Sequence, residues 1–286
     1  MTVPDPTSGK SGWQEAPAEA AESGRYREFP VAGPLSRDLV CLWTLEVRED
    51  ARSPYVGHVL PDACIDLVFF DNGAGVVAGP ATTGMTPIYQ PGAVLVGARF
   101  RPGAARGWLR ENSQGPLNLH VPLEDVIGPA GRHWAQVVTA PGSVEGRLQA
   151  LQRLFLGHTD AVPPPDPVVA AAVRSMAEGL PDRSRNWSEH LGLSERQLRR
   201  RFHATVGYGP KTLERVLRLQ HLLSIAGAEA IPPLASLAVW AGYAAQPHMS
   251  REIRTLTDLT PSEVLGRDRG TLSLSELFKT PGSVVD

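Results

Sequence analysis

Cysteine, lysine, net charge and long apolar runs are scarce in this chain, and each scarcity excludes something. Cys41 and Cys64 are the only cysteines in 286 residues. That is too few for a disulfide framework and fits a reducing compartment, so a cytoplasmic location is expected. No apolar stretch approaches the ~20 residues of a membrane span, so no membrane partner is expected. The first twenty residues are polar and lack the apolar core of a secretory signal. Motifs of catalysis are missing too: there is no Gly-x-Ser-x-Gly, no phosphate-binding glycine loop and no Cys/His pairing at a known spacing. No enzyme activity, catalytic residue or cofactor is expected.

A hydrophobic content of 42% and a charged content of 20% are those of a globular protein, with length enough for two cores. The formal net charge is only −2, but the basic residues are not spread evenly. From Arg183 to Arg218, eight arginines and Lys211 stand against Glu189, Glu195 and Glu214, a net +6. Such a cluster is the electrostatic footprint expected where a duplex docks. Arginine outnumbers lysine 25 to 3 across the chain, a bias we ascribe mainly to genome composition.

The basic cluster coincides with half of an internal repeat. One copy runs from Trp187 to Phe202 and is followed by Gly207 and Pro210; the other runs from Leu237 to Ile253 and is followed by Asp258 and Pro261. Leu198, Arg200, Phe202, Gly207 and Pro210 recur 51 positions later as Met249, Arg251, Ile253, Asp258 and Pro261. Upstream of the turn the offset is 50, which pairs Ser188 with Ala238 and Gly192 with Gly242. Each copy has the pattern of a helix-turn-helix, so the chain reads as a regulator that presents two recognition helices to double-stranded DNA.

Helical spacing then sorts the residues of each copy. Leu198 and Phe202, four apart, belong on a buried face, with Ser194 as N-cap and Gly192 in the tight turn. That leaves Arg196, Arg199, Arg200 and His203 together on the outer face, with Gln197 and Lys211 as further candidates for DNA contact. Arginine suits either role at a duplex, bidentate to guanine or clamped on phosphate. In the second copy Met249 and Ile253 form the buried pair, and Gln246, Ser250, Arg251 and Arg254 are the outward candidates. Ala245 stands at its N-cap without a side-chain oxygen, a loss of ~0.5–2 kcal/mol. The first unit is expected to dominate binding.

The rest of the chain organises around these units. Residues 1–24 are rich in Ser, Pro, Gly, Ala and Glu without periodicity and read as a disordered arm. Residues 25–160 read as a β-rich sensor or dimerisation domain, with strands expected at Leu39–Val47, Val56–Leu60, Cys64–Phe70, Gly75–Val77 and Ala93–Phe100. Helices are expected from Arg101 to Arg110 and over Val144–Leu156. A Pro-rich linker spans 161–166, the DNA-binding domain 167–266, with a helix from Asp166-Pro167 and another from Lys211 to Leu223, and a tail 267–286. The fold class is α+β and multidomain: a barrel followed by an all-α domain.

The two units, their spacing and their Gly-x-x-Pro turns resemble the DNA-binding domain of AraC/XylS-type transcription regulators. Ser194, Leu198, Arg200, Phe202, Gly207 and Pro210 carry the likeness in the first unit, and Ala238, Gly242, Tyr243, Arg251 and Pro261 in the second. Departures are Ile253 for an aromatic, Asp258 for a glycine and Ala245 for Asp or Ser. The resemblance implies seven helices, with two helix-turn-helix units held by a linking helix. Tyr26–Pro30, Leu42–Thr44, Val59–Phe69, Val96–Gly103 and Pro122–Asp125 resemble an uncharacterised sensor-type domain fused to such regulators, which implies a cupin-like barrel. A small-molecule effector, RNA polymerase and a second copy of the chain are then the candidate partners, the last through Val144–Leu156. The rival reading is a DNA-associated enzyme, such as a repair methyltransferase, using a cysteine or metal in the first half. Asp62, Cys64, Asp66 and His58 lie close in sequence, but metal-ligand spacing is absent, and Cys64 reads better as a buried apolar group and Asp62 as a turn residue.

Overall fold

The computed structural model describes residues 23–31, 33–109, 120–178, 187–226 and 232–266. Most of the expected arm, residues 1–22, and the expected tail, 267–286, lie outside the described residues. The arm's last residue does not behave as one, because the first strand, β1, starts at Gly24 and runs to Phe29.

Alternation of apolar side chains builds the first half. β2 (Leu39–Val47), β4 (Ile65–Phe70), β5 (Gly75–Ala78), β7 (Val94–Phe100) and β8 (His120–Pro122) join β1 in a six-stranded antiparallel sheet of order β1-β2-β7-β4-β5-β8. β3 (Tyr55–Val56) pairs with β6 (Ile88–Tyr89) in a separate ladder. The expected strand Val56–Leu60 is reduced to its first residue plus an isolated bridge between Val59 and Met85.

The sheet does not close into a barrel: β1 and β8 are its opposite edges. Helices cover one face instead. These are α1 (Arg106–Leu109), α2 (Leu123–Ile127), α3 (Pro129–Thr139) and α4 (Val144–His158). Trp108, Trp134 and Phe155 from these helices pack on Phe100, Leu67 and Val96 of that face. The opposite face carries Trp43, Leu45 and Val68, joined by Tyr55 and Tyr89 of the small ladder. The helix expected from Arg101 is confined to α1 because Gly103 adopts φ +84°, outside the helical range.

After the proline run, Asp166 accepts from the backbone N–H of Val168 at 2.9 Å and starts α5 (Pro167–Glu178). α6 (Trp187–His190), α7 (Glu195–Thr205), α8 (Pro210–Ile225), α9 (Leu234–Trp240), α10 (Gln246–Thr257) and α11 (Pro261–Gly266) complete an all-helical second half. Its core gathers Met176, Leu198, Phe202, Leu213, Met249 and Ile253. Leu60 and Ala63, from the first half, enter the same core. The Gln220 side-chain amide of α8, fully buried, donates to the Pro61 carbonyl, and the Gly84 N–H donates to the Leu256 carbonyl at 2.7 Å. The two halves are therefore in direct contact through backbone acceptors as well as apolar side chains.

Candidate nucleic-acid interface

α6 and α7 form the first helix-turn-helix. Gly192 supplies the turn at φ +63°, a conformation that a side chain rarely tolerates. Ser194 caps α7 by accepting from the Gln197 N–H, and the Gln197 side chain accepts in return from the Ser194 N–H at 2.9 Å. This reciprocal box satisfies two backbone donors. It also commits Gln197, one of the DNA candidates, to holding the helix start. Leu198 and Phe202 are buried beneath the helix, as their spacing predicts.

The outer face of α7 is open. Glu195, Arg196, Arg199, Arg200 and His203 line one shallow surface hollow. The three arginines are exposed, and none has a hydrogen bond or ion pair among the described residues. The neighbouring Arg201 behaves differently: it turns back and pairs with Asp166 at 2.9 Å, tying α7 to the start of α5. The run of arginines in sequence is thus split, one holding the domain together and three facing solvent. Lys211 is exposed in the first turn of α8.

α9 and α10 form the second unit, with Gly242 at φ +76° in its turn. Ala245 takes the extended N-cap conformation but provides no side-chain bond. Met249 and Ile253 are fully buried, so isoleucine fills the place of the usual aromatic. Asp258 adopts φ +59° and ends α10 where the first unit has Gly207 at φ +96°. Aspartate reaches the left-handed region more readily than most side chains, which is how the turn survives the loss of glycine. Gln246, Arg251 and Arg254 are exposed and Ser250 is half-buried; Arg251 leans on its own helix, donating to the Pro247 carbonyl at 3.3 Å.

Both units hang on α8 by side chains one turn apart. Glu214 accepts from the Trp187 indole N–H of the first unit. Arg218 donates to Glu252 of α10 at 2.8 Å and lies over the Tyr243 ring, 5.3 Å from its centroid. Arg215 and His248 approach the same carboxylate, each at 3.6 Å. This clamp was not legible in the linear sequence, because its partners lie 27 and 34 residues apart.

Asp62 and Asp66 face an arginine, and Cys64 is joined to Asp62 through its backbone. Arg99, buried in β7, contacts Asp66 at 3.1 Å, Glu28 at 3.2 Å and Asp62 at 3.5 Å. Burial works against the Arg99 charge, but Asp66, Tyr26 and Asp62 outweigh it and hold the guanidinium charged. Desolvation pushes the Asp62 carboxyl up to about 6, with Arg99 pulling the other way. Asp62 also accepts from the Cys64 N–H at 2.9 Å, so it does serve the turn. Burial raises both the Cys41 and Cys64 thiols, the reverse of what an activated nucleophile needs. The signal for Arg99 in the sequence is a lone charge within the otherwise apolar strand β7, whereas Glu28 sits in a strand already rich in charge and carries no such signal.

Comparison with known proteins follows the same division. Residues 187–267 match a helix-turn-helix domain family, and residues 27–122 match a domain of unknown function, DUF6597. No curated protein matches. Among solved structures, a form of ToxT from Vibrio cholerae at 1.65 Å shares 10% identity with a TM-score of 0.42, covering 85% of this chain and 98% of that one. ToxT from strain O395 shares 10% with a TM-score of 0.41, covering 86% and 98%. The same protein bound to (E)-4-(8-methylnaphthalen-1-yl)but-3-enoic acid shares 12% with a TM-score of 0.41, covering 85% and 98%. The chain carries an AraC-type helix-turn-helix DNA-binding domain in its last third, behind an N-terminal domain of unknown function.

Proposed function

We propose that this protein is a sequence-specific regulator of transcription in which α7 makes the main base and phosphate contacts and α10 a weaker second set. The observation that carries this reading is the outer face of α7, where Arg196, Arg199 and Arg200 are exposed and unpaired among the described residues. A charge held out from the protein in this way is available to phosphate or to guanine. The two helices would enter successive major grooves about one turn, ~34 Å, apart.

The N-terminal domain is the regulatory part of the reading. Its Pro61–Cys64 loop touches the buried Arg99 cluster through Asp62 and the linking helix through Pro61. A ligand that alters the first half therefore has a physical route to α8, which holds both units. A second copy of the chain, which the family resemblance places on α4, would meet a helix whose apolar face is already largely covered. Leu151, Leu154 and Phe155 are spent in their own core, which leaves Leu156 of α4 and Val137 of α3 exposed for that purpose.

The test is a titration of the full chain against DNA upstream of its own gene over a series of salt concentrations. Saturable binding that survives competitor DNA, with a steep fall in affinity as salt rises, is the expected result. Binding indifferent to sequence would overturn the reading.

A further inference from the structure

We infer that the DNA-contacting surface continues onto the N-terminal domain, where Arg106 of α1 adds a phosphate contact beside the last turn of α7. This rests on the reading of α7 as a recognition helix.

The first observation is that the segment leading into α1 lies against the end of α7. A Cβ at Gly103, in the segment leading into α1, would lie 3.6 Å from both Val169 of α5 and Val206 at the end of α7. At Gly107 it would overlap the Pro163 carbonyl at 2.7 Å. Gly103, at φ +84°, brings the segment before α1 against the second half, and Gly107 lets α1 itself lie on the proline run. The first residue of α1, Arg106, and Leu109 then line a cleft whose other wall is His203, Ala204 and Thr205 of α7.

The second observation is continuity of the surface. His203 lines this cleft and also the open hollow of Arg196, Arg199 and Arg200. Arg106 thus shares the His203 wall with this arginine face, although it belongs to the other domain and lies 90 residues before Arg196 in sequence. It is half-buried and has no hydrogen bond or ion pair among the described residues. A guanidinium stays charged at any working pH, and holding it partly out of water without a partner is unfavourable until an anion arrives.

Groove dimensions name the anion. A major groove is ~12 Å wide and an α-helix with side chains ~10–12 Å across, so a docked helix fills it. Whatever flanks the helix then stands over a phosphate wall. Arg106 flanks the final turn of α7, so its partner is a phosphodiester of the duplex, and the contact adds affinity without reading a base. It also makes the position of the N-terminal domain part of the DNA affinity, because any shift of α1 away from α7 removes the contact.

The experiment compares wild type, Arg106→Gln and Arg106→Lys, each as the full chain, on a duplex that wild type binds and on unrelated DNA. Arg106→Gln is expected to weaken both by a similar factor, roughly threefold to tenfold, and to reduce the slope of log affinity against log salt by about one. Arg106→Lys is expected to keep the slope. A merely structural role for Arg106 would not lower the salt slope by one charge and have lysine restore it. Unchanged affinity and slope in Arg106→Gln, or tighter binding, overturns the phosphate contact while leaving α7 as the reader. A wild-type chain that binds neither DNA overturns both. Should Arg106→Gln fail to fold, a wild-type salt slope in Arg106→Glu with its affinity intact would equally overturn the contact.

Discussion

At the scale of single residues, the outcome turns on which charges are neutralised within the protein. Arg201 and Arg218 are ion-paired, whereas Arg199 and Arg200 make no ion pair with any described residue. Arg200→Ala is expected to lose ~1–3 kcal/mol of specific binding, and Arg251→Ala distinctly less, since Arg251 already leans on its own helix. Titrating both variants on one duplex checks this, and equal losses would contradict the division of labour. Asp62 is a second case. Its carboxyl is raised from 3.8 to about 6 in the folded chain, so between those values the folded state binds more protons than the unfolded state. Its contribution to stability is accordingly present at low pH and lost as pH rises through about 6. Arg99, Asp66 and Cys64 are the groups that act on it. Asp62→Asn should flatten this dependence, read as a smaller difference between denaturation midpoints at mildly acidic and neutral pH than wild type shows.

Elements show how two copies of one pattern diverge. The caps of α7 and α10 share extended geometry, but only Ser194 has an oxygen to offer. Ser194→Ala should therefore cost about 1 kcal/mol, and Ala245→Ser should add a similar amount, measured by urea denaturation. If Ala245→Ser leaves stability unchanged, Pro247 in the first turn is already meeting the need that a cap would serve. Packing explains why the second unit keeps its shape in spite of its departures from the pattern. Ile253 is fully buried and Glu252 is clamped by Arg218, so tertiary contacts hold α10 where local signals are weaker.

For the whole molecule, the decisive feature is contact between the halves. Gln220 is fully buried and its amide donates to Pro61, while Leu60 and Ala63 sit in the core of the other domain. Gln220→Leu removes the donor to the Pro61 carbonyl, and with it a side-chain oxygen that is buried without a partner, so the two effects offset in part and the main loss is the bond between the halves. Calorimetry is expected to show one transition for the wild type and a separation of the two halves in the variant. A single transition at the wild-type temperature would mean that the apolar contacts alone suffice.

Local patterns were enough for the parts of this protein that depend on neighbours in sequence. The repeat, the buried pairs Leu198/Phe202 and Met249/Ile253, the turn glycines, β2 and α5 all follow from spacing and capping, which act over a few residues. Gln197 could not be assigned to the cap rather than to DNA without its geometry. Nor could the open sheet, the Arg99 cluster, the Glu214 and Arg218 clamps or the nearness of Arg106 to His203 be read from the chain. Each depends on groups tens of residues apart, and only packing of the two cores determines which of them meet.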